Sequence, residues 1–236
     1  MFKNPIKFQA SIFVDSKEIT PTSSNFIKFL GALESYELLP NTVQEITPSG
    51  ALVDRIRLAT TDNSFSLVIA TNRIDIELQT NDINIPIGKT IDEFSKQICD
   101  MWTKITPFFL TLPFRLALLG TYFNDKESNG LHEKLFKSSS FYTDFPPFEW
   151  TYRLASLKTI SGEETNIITK IDRTLAELKN SPTTSNPINA TILALDINTS
   201  PKNTSPRFTQ PNLDGFYSEA PLEFVSLLEN INSFIK

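Results

Sequence analysis

Short segments of alternating polarity joined by tight turns most constrain the fold of this chain. In residues 6–14 apolar side chains occupy every second position, which is the pattern of a strand with one buried face. The same period returns in three later segments, residues 51–60, 64–71 and 73–80. Asp62-Asn63 and Asn72-Arg73 are turn-type junctions between them, and connections this short join antiparallel strands. The sequence therefore predicts a mainly antiparallel sheet.

Other segments carry apolar residues at the spacing of one helical face. These are residues 24–36, 91–106 and 221–235. Thr90 is a suitable N-cap for the second of them, in which Phe94 and Trp102 belong to the apolar stripe and are predicted to be core residues. We expect an α+β fold: a mainly antiparallel sheet, or sheets, packed by two to three amphipathic helices.

The chain changes character after an apolar strand expected at residues 112–123. The polar stretch 124–147 contains a short helical pattern at 131–136, and a loop rich in Pro, Ser and Asn is expected over 199–217. Strands are expected at three further segments, residues 148–159, 164–172 and 188–198. We interpret residues 1–123 and 124–236 as two halves packed into one globular unit.

Composition excludes several kinds of site. The 236 residues include one histidine and one cysteine, which cannot form an HExxH pair, an intrachain disulfide or a multi-cysteine zinc site. We therefore expect no transition-metal site, and the sequence indicates no cofactor.

Charge and hydropathy limit the classes of partner that we expect for this chain. The net charge is −5 and the basic residues are scattered, which disfavours nucleic-acid binding. No run approaches the roughly 18 apolar residues of a membrane-spanning helix, and no secretory signal is recognisable. With a single cysteine the expected location is the cytoplasm.

Three candidate catalytic features have simpler structural interpretations. Gly88-Lys89-Thr90 precedes a helix like the end of a phosphate-binding loop, but the glycine needed five positions earlier is Ile83. His132 lacks an evident orienting partner and is interpreted as a solvated loop residue. Cys99 has no basic neighbour on its helical face and is interpreted as a packed side chain.

The carboxylates offer a weaker case for Mg²⁺ or acid–base chemistry. Asp75 and Glu77 share one strand face, as do Glu164 and Asp172, and paired acids can bind Mg²⁺. The first pair also fits the wet face of an antiparallel sheet. Asp196 closes an apolar run, for which we favour a structural salt bridge or hydrogen bond over a site role.

An aromatic segment gives the clearest sign of a binding site. Residues 141–150 contain five aromatic side chains around Pro146-Pro147, and these are the candidate partner-binding residues: Phe141, Tyr142, Phe145, Phe148 and Trp150. Exposed aromatic residues commonly anchor protein–protein contacts. The alternative, which stays open, is that the rings fold back onto the core.

Near the end of the chain, Leu195-Asp196-Ile197 is followed, after a polar loop, by an amphipathic helix that runs from Leu222 to Ile235. On these residues the chain resembles a sporadically distributed, uncharacterised bacterial protein family. Asn198 stands where the family has a second aspartate, Leu116 follows Arg115 where the family has tyrosine, and the usual histidine of the last helix is missing. The resemblance implies accessory bacterial genes, sometimes beside antiviral defence systems, and carries no established activity.

The sequence thus favours a non-catalytic protein-interaction subunit or regulator in a bacterial multi-protein system, with another protein as its partner. A small-molecule or nucleotide-sensing domain with a Phe-lined pocket is the first alternative. A Mg²⁺-dependent enzyme that uses Asp and Glu is the second.

Overall fold

The computed structural model describes residues 2–47, 49–82, 85, 87–124, 131–136, 147–176 and 188–235. Its strands are β1 (Asn4–Phe13), β2 (Leu39–Ile46), β3 (Leu52–Ala59), β4 (Phe65–Ile69), β5 (Ile74–Gln79), β6 (Arg115–Asn124), β7 (Trp150–Ile160), β8 (Glu163–Ala176) and β9 (Ile188–Thr199). Its helices are α1 (Ser23–Ala32), α2 (Ile91–Ile105), α3 (Leu131–Phe136) and α4 (Gln210–Ile235), with short 3₁₀ turns at Glu34–Tyr36 and Thr106–Phe108. The predicted α+β class with an antiparallel sheet is confirmed.

The nine strands form one antiparallel sheet in the order β2-β3-β4-β5-β1-β6-β9-β8-β7. Strand β6 pairs with β1 on one side and with β9 on the other, so it joins the strands of residues 1–123 to those of residues 124–236. Strands β2 and β7 are the two edges of the sheet.

The core lies between one face of this sheet and the helices. On β1 the alternate residues Phe8, Ala10 and Ile12 are fully buried, and the Phe8 ring lies 5.8 Å from that of Phe94 on α2. Phe94 and Trp102 are both buried, which confirms the predicted stripe. Removing one such side chain from water stabilises the fold by about 1.5–3 kcal/mol.

Helix α2 begins where the sequence predicted. The Thr90 hydroxyl accepts a hydrogen bond from the Glu93 amide, and the Glu93 carboxylate accepts one from the Thr90 amide, which makes a complete capping box. Gly88-Lys89-Thr90 is therefore a turn and a cap.

Two sequence-based boundaries are wrong. No strand was predicted between the helix of residues 24–36 and the strand of residues 51–60, because Pro40 disfavours regular structure; the chain instead reverses at Glu37, which has φ = 53°, and continues as β2. The expected loop over 199–217 ends early, since α4 begins at Gln210 and continues through Pro221. The helix tolerates an interior proline because Leu213, Phe216 and other residues on both sides of it are buried.

The second face of the sheet is polar. Asp75 and Glu77 lie on it, as the alternation predicted, and they pair with Arg73 at 2.7 Å and Lys7 at 2.7 Å. Asp75 also accepts a hydrogen bond of 2.6 Å from the Ser11 hydroxyl, so this carboxylate is more deeply buried than a solvated face would require.

Candidate functional site

The structure separates the two described members of the aromatic segment. The Phe148 side chain is 64% exposed, whereas Trp150 is half-buried and packs against the core. The other three candidates, Phe141, Tyr142 and Phe145, lie outside the described residues. Phe148 is thus exposed, as an anchor residue would be, whereas Trp150 packs against the core.

Trp150 belongs to a cluster of rings under α3. The Phe136 ring lies 5.6 Å from Trp150 and 5.7 Å from Tyr152, and His132 stacks on Phe136 at 4.8 Å. The interpretation of His132 as a solvated loop residue is therefore wrong, because the short helix α3 turns its ring toward these aromatic neighbours.

The chain runs from Phe148 directly into the edge strand β7, and its turn to β8 fixes which way the backbone points. Ser161 and Gly162 both have positive φ, at 48° and 80°, as a two-residue type I′ turn requires. In such a hairpin the flanking Ile160 and Glu163 exchange hydrogen bonds, and the next pair, Thr159 and Glu164, points away. The Ser200 amide indeed donates to the Glu164 carbonyl at 2.8 Å, on the side of β9.

Every second residue of β7 consequently turns its backbone N–H and C=O away from the sheet. All of these residues are exposed, and within the described part of the chain none of their outward groups has a hydrogen-bond partner. They are Thr151, Arg153, Ala155, Leu157 and Thr159. The strand contains no proline, so this edge can accept another strand along its length.

The opposite edge is protected over its first residues, whereas Gln44 and Ile46 further along β2 are exposed. On β2 the outward positions are the even-numbered residues, since the Thr47 amide donates inward to Ala51 at 2.9 Å. Pro40 has no N–H, and the outward N–H of Thr42 donates to the side chain of Asn41 at 2.8 Å. Proteins commonly blunt edge strands with such devices or with charged side chains; β7 has no proline, and its charged residues are Arg153 and Lys158.

The side chains of β7 include two exposed leucines, and one of its two charged side chains is paired. Leu154 is 55% exposed on the helix side of the sheet and Leu157 is 61% exposed on the polar side. Lys158 forms an ion pair with Glu223 of α4. The surface formed by Phe148 and β7 therefore offers apolar contacts beside unpaired backbone. We call it the β7 edge.

Asp196 lies on the polar face within a network of hydrogen bonds. Its carboxylate accepts from the Asn198 side chain at 3.0 Å, and the Asn198 oxygen accepts from Arg115 at 2.9 Å and from Asn166 at 3.1 Å. Burial raises the pKa of Asp196, against the opposing effects of the Asn198 hydrogen bond and of the charges on Arg115 and Arg153. This is the hydrogen-bonded structural role favoured from the sequence.

Replacing Asp196 by asparagine should remove a pH-dependent part of the stability. Because the folded pKa lies above the unfolded value, the folded state binds the extra proton, and the wild type gains stability as the pH falls between these two values. We therefore expect the difference in the free energy of unfolding, D196N minus wild type, to be largest near pH 7 and to become smaller as the pH falls toward 4. Urea titrations at several pH values measure this difference, and a pH-independent difference would contradict it.

Cys99 borders a depression of about 300 Å³ between α2 and α4, which is also lined by Asp214 and Tyr217. Burial raises the pKa of the Cys99 thiol to about 12, and the hydrogen bond and negative charge of Asp214 act in the same direction. The thiol is therefore protonated at neutral pH, which supports its interpretation as a packed side chain.

Cys99 should accordingly react slowly with iodoacetamide at pH 8. We expect the folded chain to be alkylated much more slowly than the chain in urea, and D214N to react faster than wild type because its thiol loses an acceptor and a nearby charge. D92N, a change at the same depression, serves as the control. Mass spectrometry measures the rates, and equal rates for D214N and wild type would contradict the assignment.

Glu164 and Asp172, the other pair considered for Mg²⁺ binding, do not lie close enough together to form a site. Glu164 and Asp172 share the polar face of β8 but stand eight residues apart, and Asp172 pairs with Lys170 at 2.6 Å. Across the described ranges no three His, Cys, Asp or Glu side chains come together as metal ligands would.

Many phenylalanine side chains of the described residues are buried in the core and do not line a pocket. Phe8, Phe29 and Phe94 are buried between sheet and helices. Phe108 and Phe109 do line a depression of about 390 Å³, beside charged residues of the loop that follows β1.

Comparison with family models, with curated proteins and with solved structures yields no match for this chain. None of the helices in the described ranges combines the length and apolar character needed to cross a membrane. The β7 edge is thus the candidate site on the strength of its own geometry.

Proposed function

We propose that this protein is a non-catalytic interaction subunit that binds an extended segment of a partner protein along the β7 edge. The observation that carries the proposal is the row of exposed backbone groups on β7 that have no partner among the described residues, whereas the edge of β2 is blunted at Pro40 and Thr42. The setting we propose, a multi-protein system of the bacterial cytoplasm, follows the family resemblance and the low cysteine content.

A strand added to β7 would gain both hydrogen bonds and apolar burial. Each backbone hydrogen bond contributes about 0.5–1.5 kcal/mol net. Burial of Leu154, Leu157 and Phe148 adds roughly 25 cal/mol for each Å² of apolar surface removed from water. Recognition by strand addition uses main-chain hydrogen bonds for affinity and alternate side chains for specificity.

The residues weighed for catalysis support a non-catalytic role. Cys99 is held protonated, and His132 stacks on an aromatic ring instead of facing a nucleophile. Asp196 forms hydrogen bonds within a network of side chains on the sheet.

Site-specific photocrosslinking tests this function. A photoreactive phenylalanine analogue at Leu157 should form adducts with a bound partner, and mass spectrometry would identify the attached peptide. The matched control is the same analogue at Gln44, an exposed position with outward backbone on β2. Adducts at Leu157 but not at Gln44 are expected; equal yields at the two positions, or none at either, would rule the β7 edge out.

A further inference from the structure

We infer that the occupant of the β7 edge is the β7 strand of a second copy of this chain, paired antiparallel about a two-fold axis at Ala155. The inference rests on the proposed function, since it names the partner of the same edge. It follows from the symmetry of the strand itself, because a two-fold interface needs a surface that complements itself.

Ala155 is the midpoint of the strand Trp150–Ile160. The outward residues lie symmetrically about it, with Thr151 and Thr159 at the ends. A two-fold axis at Ala155 therefore places every outward residue opposite an outward residue of the second copy, so that the whole strand is paired. Antiparallel pairing of this kind satisfies both the N–H and the C=O of each outward residue.

The side chains are compatible with this register on the polar face of the sheet. Thr151 would lie opposite the partner's Thr159, and Arg153 opposite the partner's Leu157. At the axis two alanine side chains would meet, and their small size allows the strands to approach. Like charges directly opposite each other destabilise a pair, and none occurs here.

The helix-side face is compatible as well. Leu154 would lie opposite the partner's Ser156 and diagonal to the partner's Leu154, so the two exposed leucines would cover each other. Tyr152 would lie opposite the partner's Lys158. Lys158 is already paired with Glu223, and Arg153, which has no ion pair among the described residues, would face an uncharged leucine across the axis.

Sedimentation at increasing protein concentration tests for the dimer. We expect the wild type to associate reversibly, and A155D to remain monomeric over the same range, because two carboxylates would face each other at the axis. Q44D adds the same charge to the β2 edge and should associate as the wild type does. Loss of association in Q44D as well as in A155D would overturn the assignment of β7.

Disulfide trapping tests the register. In a C99S background, A155C should form a covalent dimer on mild oxidation, because directly paired residues have Cα atoms about 5.5 Å apart, within reach of a disulfide. T151C should not link to itself but should link to T159C when the two proteins are mixed. Self-linking by T151C, or no link at position 155, would overturn the two-fold register.

The outcomes separate this inference from the proposed function. If the wild type stays monomeric while the crosslinker at Leu157 captures a different protein, the inference that a second copy binds is wrong. The β7 edge then remains a binding site for that other protein. A monomeric wild type with no specific adduct at Leu157 overturns both.

Discussion

Replacing Phe94 by alanine is expected to lower the free energy of unfolding by about 3–5 kcal/mol, the usual cost of removing a buried phenylalanine. The ring is fully buried on α2 and contacts Phe8 of the central strand β1, so its loss leaves a cavity between helix and sheet. Equilibrium unfolding in urea measures the change.

Lys96 provides the control on the same helix. Its side chain is exposed and pairs with Asp92 one turn earlier, and an ion pair between exposed side chains contributes little to stability. K96A should therefore change the unfolding midpoint little. An F94A variant with the midpoint and slope of the wild type would show that α2 does not pack on the sheet in this way.

Gly120 of β6 should tolerate no larger side chain. A Cβ built at this position would overlap the Phe224 ring of α4, and that ring is itself fully buried. Overpacking of this kind costs about 1–3 kcal/mol, so we expect G120A to lower the free energy of unfolding by that amount. Urea unfolding of G120A measures the cost.

A double-mutant cycle with Phe224 tests the cause. Shortening the ring to leucine should make G120A less damaging than it is in the wild type, with a coupling energy of about 0.5–3 kcal/mol. Additive effects of G120A and F224L would mean that the cost at Gly120 arises elsewhere. G162A, at an exposed turn with φ = 80°, provides a contrast in which backbone strain alone acts.

The sequence predicted most where one local rule governs a segment. The alternation around Phe8 and the stripe around Phe94 each reflect a single buried face, and the cap at Thr90 depends on residues three positions apart. Strand β2 was missed because proline normally ends regular structure, and the first part of α4 was missed because Pro221 suits the first turn of a helix. Pro40 is tolerated because β2 is an edge strand, and Pro221 is tolerated because α4 is buried against the sheet on both sides of it.

The candidate site was only half predictable. The sequence pointed to the aromatic segment but could not tell the exposed Phe148 from the packed Trp150, because that depends on what α3 and the neighbouring strand place beside each ring. The value of β7 as a binding surface depends on strand order, which no local pattern reveals. The absence of proline from residues 150–160, against Pro40 in β2, was the signal available.

The pairing of β6 with β9 has a consequence for biosynthesis. β6 ends at Asn124, and the strand that covers its second side starts only at Ile188, so a nascent chain must hold an apolar strand with one side unpaired while the intervening residues are made. A chain that must form contacts of such long sequence separation folds slowly, and its partly folded forms are prone to aggregate. Expression yield should therefore depend on the rate of translation and on chaperone supply more than the stability of the finished sheet would suggest.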